Sequence, residues 1–166
     1  KKPSENQFAC SNGNCGWHFC PPAAMPSHFY TFDIIQQLSS TLATTNDLRL
    51  PASTLPAPKQ RSLMRDISHG DYYTTVIDEE SSDILTLTMS TDGVHPFNSS
   101  DKSIWPVTFV VNEIKRKTRF SFQCLLMGGV WPGPGKPKRS DMAAYLQPIV
   151  EQLKELENGY FVECRF

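Results

Sequence analysis

Three groups of residues in this sequence could do chemistry: one carboxylate, a run of cysteines and two basic clusters. The carboxylate is Asp92, which ends an alternating stretch at residues 84–92 and directly precedes Gly93. A carboxylate that projects from the end of a strand can hold a hard divalent cation such as Mg²⁺. An Asp-Gly pair is also typical of a turn, in which the aspartate bonds to nearby backbone. The spacing alone favours the turn.

The cysteines are concentrated near the start of the chain, at intervals of five residues: Cys10, Cys15 and Cys20. Zinc takes four thiolate or imidazole ligands, so these cysteines could bind Zn²⁺ with a further ligand such as His28. The alternative is free thiols in a loop. The chain has five cysteines and begins with a polar segment that does not resemble a secretory signal. We therefore predict a protein that is not secreted, with no disulfide among these three cysteines.

The two basic clusters flank the third predicted strand. They contain Lys115, Arg116, Lys117 and Arg119 in one, and Lys136, Lys138 and Arg139 in the other. Such runs are usually solvated turns, but Lys and Arg also bind the DNA backbone independently of base sequence. Because the net charge of the chain is -1, any contact with DNA must come from local patches such as these.

Composition indicates one folded domain with an appendage. The chain has 166 residues, of which 39% are hydrophobic, and 13 prolines against 9 glycines. No apolar run reaches the roughly 18 residues that a membrane span needs. We divide the sequence into two units, an N-terminal segment at 1–60 and a domain at 61–166. The segment contains the three cysteines, a predicted helix at 29–43 and a Pro-rich linker. The domain opens with a helix at 61–78, broken at Gly70.

After residue 81 the pattern changes to strands. Period-two alternation predicts strands at 84–92, 104–111 and 120–130, the last running into a bend at Gly128-Gly129. Apolar spacings of three and four predict a helix from Asp141, capped by Ser140, kinked at Pro148 and ended at residues 158–159. Residues 160–166 would start a fourth strand. Three antiparallel strands, a crossover helix and a parallel fourth strand form the first half of a ribonuclease-H-like α/β fold, although unrelated α+β domains can begin similarly.

Ordered motifs then carry a resemblance to a known family. The strand ending in Asp92-Gly93 is followed by Ser-Ile-Trp-Pro at 103–106, by a Gly/Pro/Lys loop at 128–137, and by Leu-Gln-Pro with an acidic helix at 145–156. In this order and spacing, about residues 61–163 resemble the transposases of CACTA-type (En/Spm-like) DNA transposons. The upstream Cys-containing segment also resembles a zinc-binding element of the family.

The resemblance implies a ribonuclease-H-like catalytic domain in which Asp92 is the first catalytic acid and a ligand of Mg²⁺ or Mn²⁺. It implies transposon-end DNA as the partner, with no membrane, a nuclear location, and the option of a homo-oligomer. The basic residues Lys115, Arg116, Lys117, Lys136 and Lys138 would contact phosphates. Strand cleavage needs further carboxylates, which the family places at or beyond the fourth strand. We therefore expect a fragment that does not cut DNA by itself.

Two other functions stay open at this point. A domesticated module could have kept the fold and lost the chemistry, serving as an interaction or DNA-binding domain. A zinc-stapled binding domain unrelated to transposition is a third interpretation, which rests on the cysteines alone.

Overall fold

The computed structural model describes residues 28–49, 64–79, 84–95, 103–133 and 135–161. It has an α/β architecture. The strands are β1 (Tyr30–Thr31), β2 (Leu87–Thr91), β3 (Trp105–Val111) and β4 (Leu126–Trp131). The helices are α1 (Ile34–Thr44), α2 (Asp71–Glu79), α3 (Arg116–Arg119) and α4 (Arg139–Glu157), with 3₁₀ turns at Ile67–His69 and Phe122–Cys124. The Cys-containing loop lies outside the described residues.

The sheet is antiparallel, in the order β1-β4-β3-β2. The predicted meander is confirmed: β2 pairs with β3, placing Met89 opposite Phe109, and β3 pairs with β4. Within the described residues β2 is paired only along its β3 edge. The second edge of β2 is therefore open in this part of the chain.

The core lies where α1 and α4 pack on β4 and on each other. It contains alternate residues of β3, as the period-two pattern predicts. Its fully buried side chains include Ile34, Leu42, Val107, Val111, Leu126, Tyr145 and Ile149. Burial of such side chains stabilises the fold by about 1.5–3 kcal/mol each.

The strand predicted at residues 120–130 corresponds to β4, which begins later than predicted. Residues 120–125 alternate in hydrophobicity, yet β4 starts only at Leu126. The buried Arg119 bends this segment, because its Nε donates to the Ile114 carbonyl at 3.0 Å and its guanidinium also bonds the Asn112 carbonyl. Successive turns then follow, with Ser121 N bonding Thr118 O at 2.8 Å. These local polar bonds outweigh the weak strand pattern.

The predicted bend at Gly128-Gly129 does not end the strand, since both glycines lie within β4. The register with β3 shifts at this point, because Val107 pairs with Gly129 and Thr108 pairs with Met127. Gly128 is therefore the extra residue of a β-bulge. A Cβ on Gly128 would lie 2.7 Å from the ring of Phe109, so the strand needs glycine where it crosses this core side chain.

The N-terminal helix is shorter than the predicted 29–43. Residues Tyr30–Thr31 instead form β1 against β4, a strand that the sequence pattern did not predict. Helix α1 begins after Asp33, whose Oδ1 accepts a 2.8 Å hydrogen bond from Gln36 N, an N-cap that fixes the start. The predicted break at Gly70 is confirmed, between the first 3₁₀ turn and α2.

Helix α4 has the predicted position but a different cap. It begins at Arg139, and the Asp141 carboxylate, not Ser140, accepts from Lys138 N at 3.2 Å. The helix continues through Pro148 and ends before Asn158. Of the predicted fourth strand, Tyr160 and Phe161 are irregular and residues 162–166 lie outside the described residues. No described helix is long and apolar enough to span a membrane.

Candidate active site and basic surfaces

Asp92 directly follows β2 and is exposed. Its Oδ1 accepts a hydrogen bond from Gly93 N at 2.7 Å, which is the local contact expected of a turn aspartate. After Gly93 the chain pairs again, since Val94 and Ile104 form an isolated antiparallel bridge. The carboxylate is thus held at a defined corner between β2 and β3, with one oxygen engaged by backbone.

The indole of Trp105 supports this corner. A Cβ on Gly93 would lie 2.8 Å from Cζ2 of Trp105, so the backbone beside Asp92 rests directly on the ring. The indole Nε1 donates to Ser103 Oγ at 3.1 Å. Only glycine allows this approach without displacing the ring. The Asp-Gly and Ser-Ile-Trp-Pro stretches are therefore parts of one packed unit.

The Gly/Pro/Lys loop reaches the same ring. Lys136 Nζ lies 5.4 Å from the Trp105 ring centroid, within the range of a cation–π contact. Helix α4 completes the support, because the buried Tyr145 hydroxyl donates to the Trp105 carbonyl at 2.8 Å. Burial raises the pKa of Tyr145 to about 12, so the hydroxyl keeps its proton. Trp105 thus connects Asp92-Gly93, Lys136 and α4.

The two basic clusters differ in how free their charges are. Arg119 is buried and its guanidinium pairs with both Asp66 oxygens, at 2.7 and 3.0 Å. Lys115 pairs with Asp47, whose second oxygen accepts from Thr118 at 2.5 Å. Arg116 and Lys117 are exposed, as are Lys136 and Lys138. Four of the five residues predicted to contact phosphates are therefore exposed, whereas the fifth, Lys115, is in an ion pair. Phosphate contact itself stays a prediction, and Arg119 is a structural residue.

The paired carboxylates have lowered pKa values. Hydrogen bonds from Lys115 and Thr118 hold the pKa of Asp47 below its usual value. Partial burial tends to raise the pKa of Asp66, but the hydrogen bonds from Arg119 and Ile67 N and the Arg119 charge outweigh it, so this pKa is also lowered. Both carboxylates are therefore ionised at neutral pH and fasten the β3–β4 connection.

A cavity of about 300 Å³ lies beside this connection, lined by residues that include Arg49, Asp66, His69, Glu113, Lys115 and Arg116. Beneath it Glu113 is buried, and its Oε1 accepts from the Tyr73 hydroxyl at 2.9 Å and from Thr86 Oγ1 at 2.8 Å. Its Oε2 accepts from Thr86 N at 2.9 Å. These hydrogen bonds link α2 to the start of β2, so the Glu113 carboxylate has a structural role.

No metal cluster is formed within the ranges that the structure covers. Three or more His, Cys, Asp or Glu side chains able to share an ion do not converge among those residues. Asp92 alone supplies one carboxylate, which does not make a Mg²⁺ site. Cys10, Cys15 and Cys20 lie outside the described residues, so zinc binding stays a prediction. Cys124, which is described, is buried and free.

Sequence reasoning missed three features of this site: Trp105 as its centre, the Asp66–Arg119 pair and the Glu113 network. The last two join residues more than 25 positions apart, and nothing local in the sequence links them. Trp105 had a signal, because it lies in one of the ordered stretches that carried the resemblance.

The comparisons with known proteins give one match. The family model described as "Transposase family tnp2" matches residues 62–163, more than half of the chain. Among curated proteins and among solved structures, no match to the chain is found.

Proposed function

Because the chain belongs to the transposase family tnp2, whose members are En/Spm-like transposases, we propose that it forms the first part of a transposase catalytic domain. The intact protein would hydrolyse a phosphodiester at a transposon end and then join the new 3′-hydroxyl to target DNA. Asp92 would be its first catalytic acid.

A ribonuclease-H-like fold for this domain is supported by the strand order. In that fold the first strand has the meander on one side and a parallel fourth strand on the other. Here β2, β3 and β4 form the meander, α4 follows, and β2 keeps an open edge within the described residues. The predicted strand at 160–166 would pair with this edge after a crossover through α4. The chain would then cross the sheet after Tyr160, which lies near Thr31 and Phe32 at the β1 edge.

The packing around Trp105 is the observation that carries the catalytic assignment. It joins a fixed, exposed carboxylate to an exposed ammonium group, through Gly93 on one side and Lys136 on the other. Phosphoryl chemistry uses a carboxylate to hold a metal cation and a positively charged group to bind phosphate oxygens. A solvated turn of unrelated function would not require an indole that contacts both Gly93, beside Asp92, and Lys136.

The proposed cation is Mg²⁺ or Mn²⁺, held by Asp92 with carboxylates beyond the described residues. When bound, such an ion activates water or a 3′-hydroxyl and neutralises phosphate charge. Asp92 has a second carboxylate oxygen in addition to the Oδ1 that Gly93 engages. The residues of this chain would orient that carboxylate, and Lys136 and Lys138 would bind phosphate oxygens beside it.

A second function has one observation in its favour. Because Asp92 bonds to Gly93 N and the described residues hold no cluster of acids, a domesticated module could bind DNA without cutting it. In that case the exposed cations Arg116, Lys117, Lys136 and Lys138 would keep their role, while Asp92 would be a turn residue. Either function would need access to chromosomal DNA, so we propose a nuclear location for the protein.

Substitution of Asp92 tests the proposal. In the intact transposase, Asp92→Asn should reduce Mg²⁺-dependent nicking of a labelled transposon-end duplex by at least about 100-fold, because an amide is a poor ligand for a hard cation. The thermal midpoint should stay nearly unchanged, since Asp92 is exposed.

Asp78→Asn is the matched control, because Asp78 is an exposed aspartate on α2 outside the site. It should leave nicking unchanged. Full nicking by the Asp92→Asn protein would contradict the catalytic assignment. An intact wild-type protein that binds the duplex and never nicks it would favour the module.

A further inference from the structure

We propose that the segment between β3 and β4 is a base-stacking surface that binds unpaired DNA, a role that rests on the proposed function and adds to it. The surface consists of Arg116, Lys117, Phe120 and Phe122, and we name it the aromatic tip. Its two phenyl rings would stack on bases, while its two cations would contact the adjoining phosphates.

The exposure of the two rings is the first observation. Phe122 is 92% exposed and Phe120 is 67% exposed, whereas phenylalanine is among the residues most often found inside proteins. The two rings lie two residues apart in one short segment. A pair of large, exposed aromatic side chains on a structured segment is typical of an interaction site.

The second observation is that the segment is fastened on both sides. Arg119, just before Phe120, is buried and bonds Asp66, Ile114 O and Asn112 O. Cys124, two residues after Phe122, is also buried, and its N–H bonds Ser121 O at 3.0 Å. The rings are thus presented by a segment whose neighbouring residues are anchored in the fold. Such preorganisation reduces the entropy cost of binding.

The charge of the segment indicates which partner fits. The segment between β3 and β4 contains four basic side chains and one acid, Glu113, which is buried and bonded to Tyr73 and Thr86. Two of the basic side chains are neutralised by Asp47 and Asp66, which leaves Arg116 and Lys117 exposed. Arg116 donates one hydrogen bond, from Nη1 to the Arg65 carbonyl at 2.7 Å, and its remaining donors can bind phosphate. Exposed rings in the same segment as exposed cations match the alternation of bases and phosphates in a nucleic acid strand. The bases must be unpaired, because those inside a duplex are already stacked on each other.

Binding of labelled oligonucleotides to the full chain tests the aromatic tip. We expect the wild-type protein to bind a short single-stranded DNA, measured by fluorescence anisotropy at low salt, with an affinity that falls as salt rises. The Phe120→Ala/Phe122→Ala protein should bind that strand about 10-fold or more weakly, given the usual effect of removing a stacking ring. Binding of a blunt duplex should change less than about twofold.

Two further variants separate stacking from other causes. Tyr72→Ala removes another aromatic side chain, 84% exposed on α2, and should bind both DNAs like wild type. Phe120→Leu/Phe122→Leu keeps the apolar surface without the π-face and should be as weak as the alanine protein on single strands. Circular dichroism should show the wild-type fold for all three proteins.

The possible results distinguish the aromatic tip from the proposed function. Undiminished binding of the single strand by the alanine protein would overturn the aromatic tip, while duplex binding would leave the proposed function standing. Wild-type binding of the single strand by the leucine protein would show that the π-faces of the two rings do not bind the bases and would also overturn it. If the wild-type chain bound neither the single strand nor the duplex, both the aromatic tip and DNA binding by this domain would be contradicted.

Discussion

At the scale of single residues, Trp105 determines how the corner that carries Asp92 is built. Its ring supports Gly93, its carbonyl accepts from Tyr145, and Lys136 lies over its face. Each contact comes from a different part of the chain. The geometry of Asp92 therefore depends on an aromatic side chain that need not touch the substrate.

The Gly93 contact leads to a prediction for stability. Gly93→Ala places a Cβ 2.8 Å from Trp105 Cζ2, so the indole must shift within its packed position. Overpacking of this kind typically costs about 1–3 kcal/mol. We expect that loss in the free energy of unfolding, measured in urea, together with altered tryptophan emission of the folded state.

Gly135→Ala provides the control, since nothing lies within 4 Å of a Cβ at that position. It should unfold at the wild-type urea concentration. If Gly93→Ala were as stable as Gly135→Ala, the indole could not be the fixed support that we describe.

The roles of single residues could be predicted from the sequence only in part. The Asp-Gly pair indicated either a turn or a metal ligand, and the local hydrogen bond of Asp92 agrees with its turn geometry. The basic runs predicted exposed cations correctly for Arg116 and Lys117 but not for Arg119. Arginine is rarely buried unless its charge is paired. The partner of Arg119 is Asp66, 53 positions earlier in the sequence, and nothing near either residue indicates this pairing.

At the scale of elements, the Asp66–Arg119 ion pair holds the first 3₁₀ turn against the β3–β4 connection. The Arg119 side chain is 5% exposed and that of Asp66 is 22% exposed. Asp66 also caps the turn, since its Oδ1 accepts from Ile67 N at 2.8 Å. The pair therefore fixes both the turn and the base of the aromatic tip.

Removing the charge of Asp66 should destabilise the protein in a pH-dependent way. Asp66→Asn keeps an N-cap group but leaves the Arg119 guanidinium buried without its counter-ion. We expect a loss of about 2 kcal/mol at pH 7, below the usual range for a fully buried pair because Asp66 is partly exposed. Chemical denaturation at several pH values measures this loss.

The sign of the pH effect follows from the lowered pKa of Asp66. The ionised form is favoured in the folded state, so its stabilisation is present above the unfolded-state pKa near 3.8 and is lost as the pH falls through the folded-state pKa. The gap between wild type and Asp66→Asn should accordingly close below that pH. A gap that stayed constant down to strongly acidic pH would mean that the ion pair is not its cause.

Element prediction succeeded where the hydrophobic pattern was long and failed where polar side-chain bonds or pairing with a distant strand controlled the backbone. Strand β3 and helix α4 lie at the predicted places because their apolar faces cover the core. Residues 120–125 had a strand pattern, yet Arg119 turns the chain before them. Strand β1 has only two residues, too few for a periodic signal, and depends on the edge that β4 offers.

At the scale of the whole molecule, the open edge of β2 is the main unsatisfied feature within the described residues. Thr88, Met89, Ser90 and Thr91 are all exposed, although β2 belongs to the meander that carries Asp92. An exposed strand edge presents unpaired backbone groups, which proteins usually cover. A parallel strand at residues 160–166 would cover this edge and bring the end of the chain beside Asp92.

A proline in that segment tests the arrangement. Val162→Pro removes a backbone N–H in the middle of the predicted strand and should prevent its pairing. Ala57→Pro, in the Pro-rich stretch predicted as a linker, is the control. We expect faster amide hydrogen exchange in peptides covering β2 of the Val162→Pro protein, with unchanged exchange in β4, whose partners are β1 and β3. Equal exchange of β2 in wild type, Val162→Pro and Ala57→Pro would exclude a ribonuclease-H-like pairing of residues 160–166 with β2, and with it the proposed location of the next catalytic acid beside Asp92.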